Sequence, residues 1–441
     1  MVSEQHQREI DQYVASTPRA AELHKQAMKY LPGGSTRGVQ YFPPYPFVAE
    51  RGEGLYIYDV DGNRYLDYVI NATSLILGHA HPKVVKAIQD KASLGTAFSV
   101  PTEDQTKLAR VLCERIPSVE TLRFTNSGTE GTLMAIRAAR AFTGKHKIAK
   151  FEGGYHGSHE YAEISVSPSA DKLDSNEITS VPQYPGQPPS ISEDVIVMPY
   201  NDLEACERII RQHKDDLSCV IMEAISSSFG YLPANVDFLS GIRELTTELG
   251  ILLIFDEVQS LRVAPGGAQE LLGVTPDLTC MGKIIGGGTP VGAFGGREDV
   301  MALYDPTENG PTLGHSGTFN GNPLTMAAGA VVMDEMTPDV YQQMSQLGET
   351  LRSKLRAVFD ELDIPAQVTG VASLFGIHFT SEEIVDYRST LSGDKALKGA
   401  LSTGLLNEGV MLGGALSKLT TETEVDTFVD STRRVIQRIR Q

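Results

Sequence analysis

Between about residues 82 and 332, helical patterns alternate with short apolar runs at residues 121–124, 147–151, 195–198, 219–222 and 251–255. Runs of this length bounded by turn residues read as strands. Strands that alternate with helices are joined by crossovers, so the pattern predicts an α/β domain around a mainly parallel sheet. Before it, residues 2–30 carry apolar side chains at helical spacing until Pro32-Gly33-Gly34 stops the pattern, which makes this stretch an arm. Residues 54–68 alternate apolar and polar side chains around Asp61-Gly62, predicting a hairpin that packs near the C-terminal region. After Met333 the pattern gives a helix over 340–362, a strand-like stretch over 371–379 and a closing helix from about Glu422. The expected division is an arm and hairpin at 1–80, a large domain at 81–332 and a C-terminal part at 333–441, the first and last forming a smaller α+β domain.

The 38 basic and 56 acidic residues leave a formal charge of −18, which opposes attraction to nucleic acid or an anionic membrane surface. Cys113, Cys206, Cys219 and Cys280 show no CxxC spacing and suit reduced thiols in a cytoplasmic protein. The charged start, MVSEQHQREIDQ, is unlike a signal peptide, and no apolar run approaches the length of a membrane span. Without secretion, the sequon Asn71-Ala72-Thr73 reads as chance.

The run at 251–255 ends in Asp256 and Glu257, at the strand edge where open α/β sheets place their ligands. Further on, Lys283 sits in Met281-Gly282-Lys283-Ile284-Ile285 before three glycines, a setting that can desolvate a lysine and make it nucleophilic. Taken singly, the lysine reads as a surface cation and the acid as a helix cap. Together they are the two groups that pyridoxal phosphate chemistry demands of its protein, an amine for the aldehyde and an acid for the ring nitrogen. A third element, Asn126-Ser127-Gly128-Thr129-Glu130, opens a helical pattern over 133–142 and offers backbone N–H groups to a phosphate, although an ordinary N-cap would use the same residues. No GxxxxGK[ST] loop accompanies it. The fourth, Gly153-Gly154-Tyr155-His156-Gly157, presents an aromatic ring for stacking. His156, His159 and Glu160 lack further ligands in sequence reach, so no metal is expected there, and His79 and His81 suit local hydrogen bonds at a helix start.

In order and spacing, these four motifs resemble the class III aminotransferases of fold type I from about Leu31 onward. The resemblance implies a large domain around a mainly parallel seven-stranded sheet and pyridoxal 5'-phosphate as cofactor. Lys283 would hold the cofactor as a Schiff base, Asp256 would pair with its ring nitrogen, and Tyr155 and Val258 would flank the ring. Ser127, Gly128 and Thr129 would bind the phosphate. Thr318, in His315-Ser316-Gly317-Thr318-Phe319-Asn320, looks like the threonine that reaches the phosphate of a neighbouring protomer, implying a homodimer with shared sites. Glu223 stands in a Met-Glu-Ala-Ile segment where the family has Val-Glu-Pro near the cofactor.

Within the class, the sequence is similar both to glutamate-1-semialdehyde aminomutases and to aminotransferases of β-amino acids such as β-phenylalanine. The stretch 256–263 is one residue shorter than the usual aminomutase version, and residues 68–78 lack its tryptophan, which favours the β-amino-acid branch. Arg37 matches an arginine that grips substrate carboxylate in that branch, a role a guanidinium fills with two hydrogen bonds; a surface arginine in a loop is the alternative. Around 409–416 the chain lacks an arginine that some relatives place there. The expected activity is ping-pong transfer of an amino group from an amino acid or amine to a keto acid. An isomerase that moves the amino group within one molecule and a catalytically silent binding protein on the same fold are the competing readings.

Overall fold

The structure, a computed structural model, describes residues 4–173, 178–307 and 310–440. Its strands, in chain order, are β1 (Ala49–Glu53), β2 (Tyr56–Asp59), β3 (Arg64–Asp67), β4 (Thr121–Thr125), β5 (Lys147–Phe151), β6 (Val195–Met198), β7 (Leu217–Met222), β8 (Leu252–Asp256), β9 (Leu278–Gly282), β10 (Gly292–Gly296), β11 (Gln367–Thr369), β12 (Gly376–His378) and β13 (Val410–Met411), besides a two-residue pair at Ile225–Ser226 and Leu232–Pro233. Seven of them form one sheet in the order β4-β10-β9-β8-β7-β5-β6. Every residue of β7, β8 and β9 is buried, as expected of strands covered on both faces.

The sheet is parallel except for β10, which runs antiparallel to both β9 and β4. The apolar pattern does not reveal β10 because its sequence is Gly-Ala-Phe-Gly-Gly, and glycine is depleted in strands. Its glycines are there for closeness: a Cβ on Gly292 would lie 2.0 Å from the Ser127 carbonyl oxygen. This strand thus carries the backbone of the 126–127 turn directly against the sheet. Because β4, β5, β8 and β9 point the same way, residues 126–129, 152–157, 256–258 and 283 all emerge at one edge.

The expected hairpin forms as β2 and β3, with Tyr56 opposite Leu66 and Gly62 at φ +88° in the turn. Asp59 fixes the turn by accepting from the N–H groups of Asp61 (3.0 Å) and Asn63 (2.8 Å) and from the Tyr65 hydroxyl (2.9 Å). β13 lies parallel to β3, so the hairpin does pack on the C-terminal region. Leu55, Leu66 and Tyr68 share one core with Leu351, Leu401, Phe428 and Val435. The arm folds as two helices, Glu4–Ser16 and Pro18–Ala27, tied down by Glu9 to Arg438 and by Asp61 to the N–H groups of Arg19 and Ala20. The helix expected at 340–362 is Pro338–Glu361 and the closing helix is Glu422–Ile439. The strand-like stretch at 371–379 is a correction. The chain there turns, with Gly370 at φ +120° and Ala372 at φ +49°, and two short antiparallel strands, β11 and β12, replace one long one.

Candidate active site

At the shared strand edge lies a cavity of about 370 Å³ whose lining includes Lys283, Asp256, Glu223, Tyr155, Val258 and Arg37. Ser127, Gly128 and Thr129 line the same cavity, so nine of the ten residues singled out from sequence converge, Thr318 being the tenth.

Asp256 ends β8 and is 5% exposed. The Val258 N–H donates to its Oδ1 (3.1 Å), and its Oδ2 lies 2.9 Å from His156 Nδ1. Burial holds the His156 pKa below the usual imidazole value, so the ring is neutral and its Nδ1–H donates to the carboxylate. From sequence, His156 reads only as a candidate metal ligand. Its role as the partner of Asp256 had no local signal, because the two are separated by 100 positions. Among the described residues no group of three or more His, Cys, Asp or Glu side chains could hold a metal ion.

The neighbouring acid, Glu257, has another task. Fully buried, it accepts from the N–H groups of Ala268 (2.7 Å) and Gln269 (3.0 Å) and from the Ser260 hydroxyl (2.7 Å), stapling the segment after β8. Two adjacent acids point opposite ways because strand side chains alternate.

Lys283 directly follows β9 and has φ +48°, a left-handed backbone that a non-glycine residue adopts rarely and that clusters at functional sites. Burial lowers its ammonium pKa, against the opposing pull of Asp256 and Glu223. The result is an amine more readily deprotonated than a surface lysine. Glu223 is pushed up to about 8, first by burial and then by the charge of Asp256. Its Oε1 accepts from the Ser227 hydroxyl (2.6 Å), while Oε2 is buried without a partner. A group whose folded pKa lies above its unfolded value of 4.5 destabilises the fold progressively as pH rises between the two. The cofactor-free Glu223→Gln protein is therefore expected to lose less thermal stability than the parent between pH 5 and about 8. Parallel melting curves across that range check it, and identical pH slopes would contradict it.

The helix Gly128–Thr143 starts at the cavity, five residues before the helical pattern at 133–142. Ser127 caps it, its Oγ accepting from the Glu130 N–H (3.2 Å), and the N–H groups of the first helical residues have no acceptor within the helix. A Cβ on Gly128 would come within 2.9 Å of Val258 Cγ2, so the anion-binding turn and Val258 are packed as one surface. Tyr155 is 44% exposed at the cavity.

Arg37 reaches the cavity from the arm side, and its Nη2 donates to Asn71 Oδ1 (3.1 Å). Asn71, read from sequence as a chance sequon, therefore belongs to the cavity wall, as does Gln259. His79 pairs with Asp67 (2.8 Å), the local hydrogen bond expected of it, whereas His81, at the start of the helix Pro82–Ala92, makes no capping hydrogen bond and leaves its Nδ1 buried without a partner. Thr318 does not join the Lys283 cavity. It lines a separate cleft with Phe98, Val100, Gln105 and Phe319.

These groups fit a planar aldehyde cofactor bearing a phosphate: an anion-binding helix start, a buried carboxylate, an aromatic and an aliphatic side chain, and a desolvated amine. The family model for class III aminotransferases matches residues 39–424. The chain belongs to this family. The family uses pyridoxal 5'-phosphate, and the seven-stranded, mainly parallel sheet is that of fold type I. Among curated relatives, glutamate-1-semialdehyde 2,1-aminomutase 2 of Brevibacillus brevis is 42% identical over 399 residues, covering 89% of this chain and 91% of that one. Among solved structures, an omega-transaminase from Sphaerobacter thermophilus is 44% identical with a TM-score of 0.92, covering 96% of this chain and 98% of that one. A β-phenylalanine aminotransferase from Variovorax paradoxus is 35% identical with a TM-score of 0.89, covering 98% and 97%.

Proposed function

We propose that this member of the class III aminotransferases moves an amino group from an amino acid, a β-amino acid foremost, to a separate oxo-acid acceptor. The observation that carries the reading is that Arg37 lines the same cavity as Lys283 and Asp256 and, unlike those two, is exposed to solvent. A guanidinium there can hold a carboxylate while the amine-bearing carbon lies toward Lys283. Likeness to the omega-transaminase and to the β-phenylalanine aminotransferase supports it.

When bound, the cofactor supplies an aldehyde for the donor's amine and a ring that accepts the electron pair left by deprotonation. Lys283 would tether it and, once displaced, its Nζ would take the proton from the substrate carbon; the lowered pKa keeps that nitrogen available as a base. Asp256 would hold the ring N–H, with His156 fixing the orientation of the carboxylate. Ser127, Gly128 and Thr129 would bind phosphate, Tyr155 and Val258 would sit on the two ring faces, and Glu223 would lie at the cavity floor beside Asp256.

A homodimer accompanies this reading. The cleft that holds Thr318 is bordered by Phe98 (50% exposed), Val100 (69%) and Phe319 (57%), an apolar rim that a second copy would cover. Thr318 would then serve the partner's cofactor.

The aminomutase names of the curated relatives favour a second reading, transfer within one molecule. The two differ in whether turnover needs an acceptor. Holoenzyme given β-phenylalanine alone is expected to convert once per site to the aminated cofactor, with absorbance falling near ~420 nm and rising near ~330 nm. It is expected to cycle only when 2-oxoglutarate or pyruvate is added. Sustained turnover of glutamate 1-semialdehyde with no acceptor would favour the isomerase, and absence of either conversion would favour a silent binding protein.

A further inference from the structure

Asn71 and Ala72 line the cavity that holds Arg37 and Lys283, and the four residues 70–73 all have left-handed backbone: Ile70 at φ +39°, Asn71 at +49°, Ala72 at +52° and Thr73 at +72°. None is glycine, and two are β-branched, for which this region is least accessible. Such a run persists only where its surroundings over-determine it.

Those surroundings are specific. Asp67 Oδ1 accepts from the N–H groups of Val69 (2.8 Å) and Ile70 (3.0 Å) at the start of the turn. At its end, Arg262 Nη1 donates to the Thr73 carbonyl (2.9 Å), and the Thr73 hydroxyl donates to Gln259 Oε1 (2.6 Å). Arg262 is 1% exposed, and its other donors go to the Leu416 carbonyl and to Ser373 Oγ (3.3 Å). One buried guanidinium thus joins three distant stretches of chain through uncharged oxygens, a task that needs its planar fork. The turn then offers Asn71. The Asn71 amide nitrogen is used on Ser74 Oγ (3.0 Å), and Ser74 Oγ donates to the Asn71 carbonyl (2.9 Å), which leaves Oδ1 facing Arg37 Nη2 at 3.1 Å. Arg37 precedes a short helical turn, Gly38–Gln40, in which no residue is buried, so the arm alone does little to orient it.

We propose that residues 70–73 are a rigid positioning element for the substrate carboxylate, in which Arg262 and Gln259 fix the left-handed turn and Asn71 aims the Arg37 guanidinium into the cavity. The inference rests on the reading of Arg37 as the carboxylate-binding group. Its physical content is pre-organisation. A long, rotamer-rich side chain is ordered before the ligand arrives, so less freedom is lost on binding. Asn71, Gln259 and Arg262 are positioning residues, acting through Arg37.

The test uses holoenzyme and 3-phenylpropanoate, which carries the carboxylate but no amine, titrated by calorimetry. Arg37→Ala and Asn71→Ala are each expected to weaken it by on the order of 10-fold, the size of a hydrogen bond to a charged group. Because Asn71 acts through Arg37, Asn71→Ala in the Arg37→Ala background is expected to add less than about 2-fold. Arg262→Lys keeps the charge but not the fork and is expected to weaken the ligand as Asn71→Ala does; should it fail to accumulate, the Asn71 cycle decides alone. In kinetics, Asn71→Ala should raise KM for β-phenylalanine with little change in kcat, and lower its selectivity over 1-phenylethylamine, the same amine without the carboxylate. Additive losses in the double variant, or an unchanged affinity in Asn71→Ala, would overturn the positioning claim. An unchanged affinity in Arg37→Ala would instead overturn the carboxylate reading on which it stands.

Discussion

Lys283→Ala is expected to abolish covalent attachment of the cofactor and to lower the rate of amino transfer by on the order of 10⁴-fold, since general acid–base help alone contributes 10²–10⁴. The argument starts from the backbone. Lys283 leaves the end of β9 in a left-handed conformation and is desolvated between Asp256 and Glu223. Desolvation disfavours the charged amine, and a neutral amine is what both the tether and the proton transfer require. The variant is not expected to fail by unfolding. The folded pKa of Lys283 lies below its unfolded value of 10.5, so at neutral pH the unfolded chain binds the proton more tightly and the buried amine destabilises the fold. Removing it offsets the packing lost with the butyl chain, and the melting temperature of the cofactor-free variant should be close to that of the parent. Borohydride reduction followed by peptide mass spectrometry checks the assignment. A reduced cofactor found on Lys283 in the parent and absent in the variant is the expected result, and label on another lysine would sink it.

Part of this site was legible because two of its chemical groups close short, strongly patterned elements: Asp256 follows an apolar strand and Ser127 caps a helix. Lys283 is marked only by its apolar and glycine neighbours, since the strand it follows, β9, is not among the apolar runs of the sequence. The hairpin was legible for a similar reason, an Asp-Gly turn between alternating runs. What stayed hidden depends on contacts between distant positions or on backbone that contradicts local preference. Nothing near His156 announces Asp256. Nothing in Asp256-Glu257 says which acid faces the cavity, since that depends on Ala268 and Gln269 receiving the other. The left-handed run at 70–73 opposes the propensities of Ile and Thr, and the carbonyl at its end is held by Arg262 from elsewhere in the chain. β10 is a strand by virtue of glycines that permit close approach to Ser127, which propensity counts against it.

Asp256→Asn is expected to separate catalysis from cofactor retention. The carboxylate is one of the few charges on the buried side of the cavity, and in a desolvated site a fixed charge acts with little screening. Its loss should reduce kcat by on the order of 10²–10³-fold, comparable to removing one fixed electrostatic stabiliser from an active site. The helix start at Ser127, Gly128 and Thr129 and the Lys283 amine remain, so cofactor retained through dialysis should fall far less. An asparagine also presents His156 Nδ1–H with an amide in place of a carboxylate, and the amide can satisfy that donor only by turning its own NH₂ elsewhere. His156→Gln, which keeps the carboxylate but removes its orienting ring, should accordingly cost less than Asp256→Asn, on the order of 10-fold, as losses of orienting partners do. Single-turnover rates with β-phenylalanine, measured beside the cofactor content of each variant, check both. If Asp256→Asn lost cofactor and rate in equal proportion, the carboxylate would be an anchor, and a division of labour in which the helix start binds and the acid activates would be wrong.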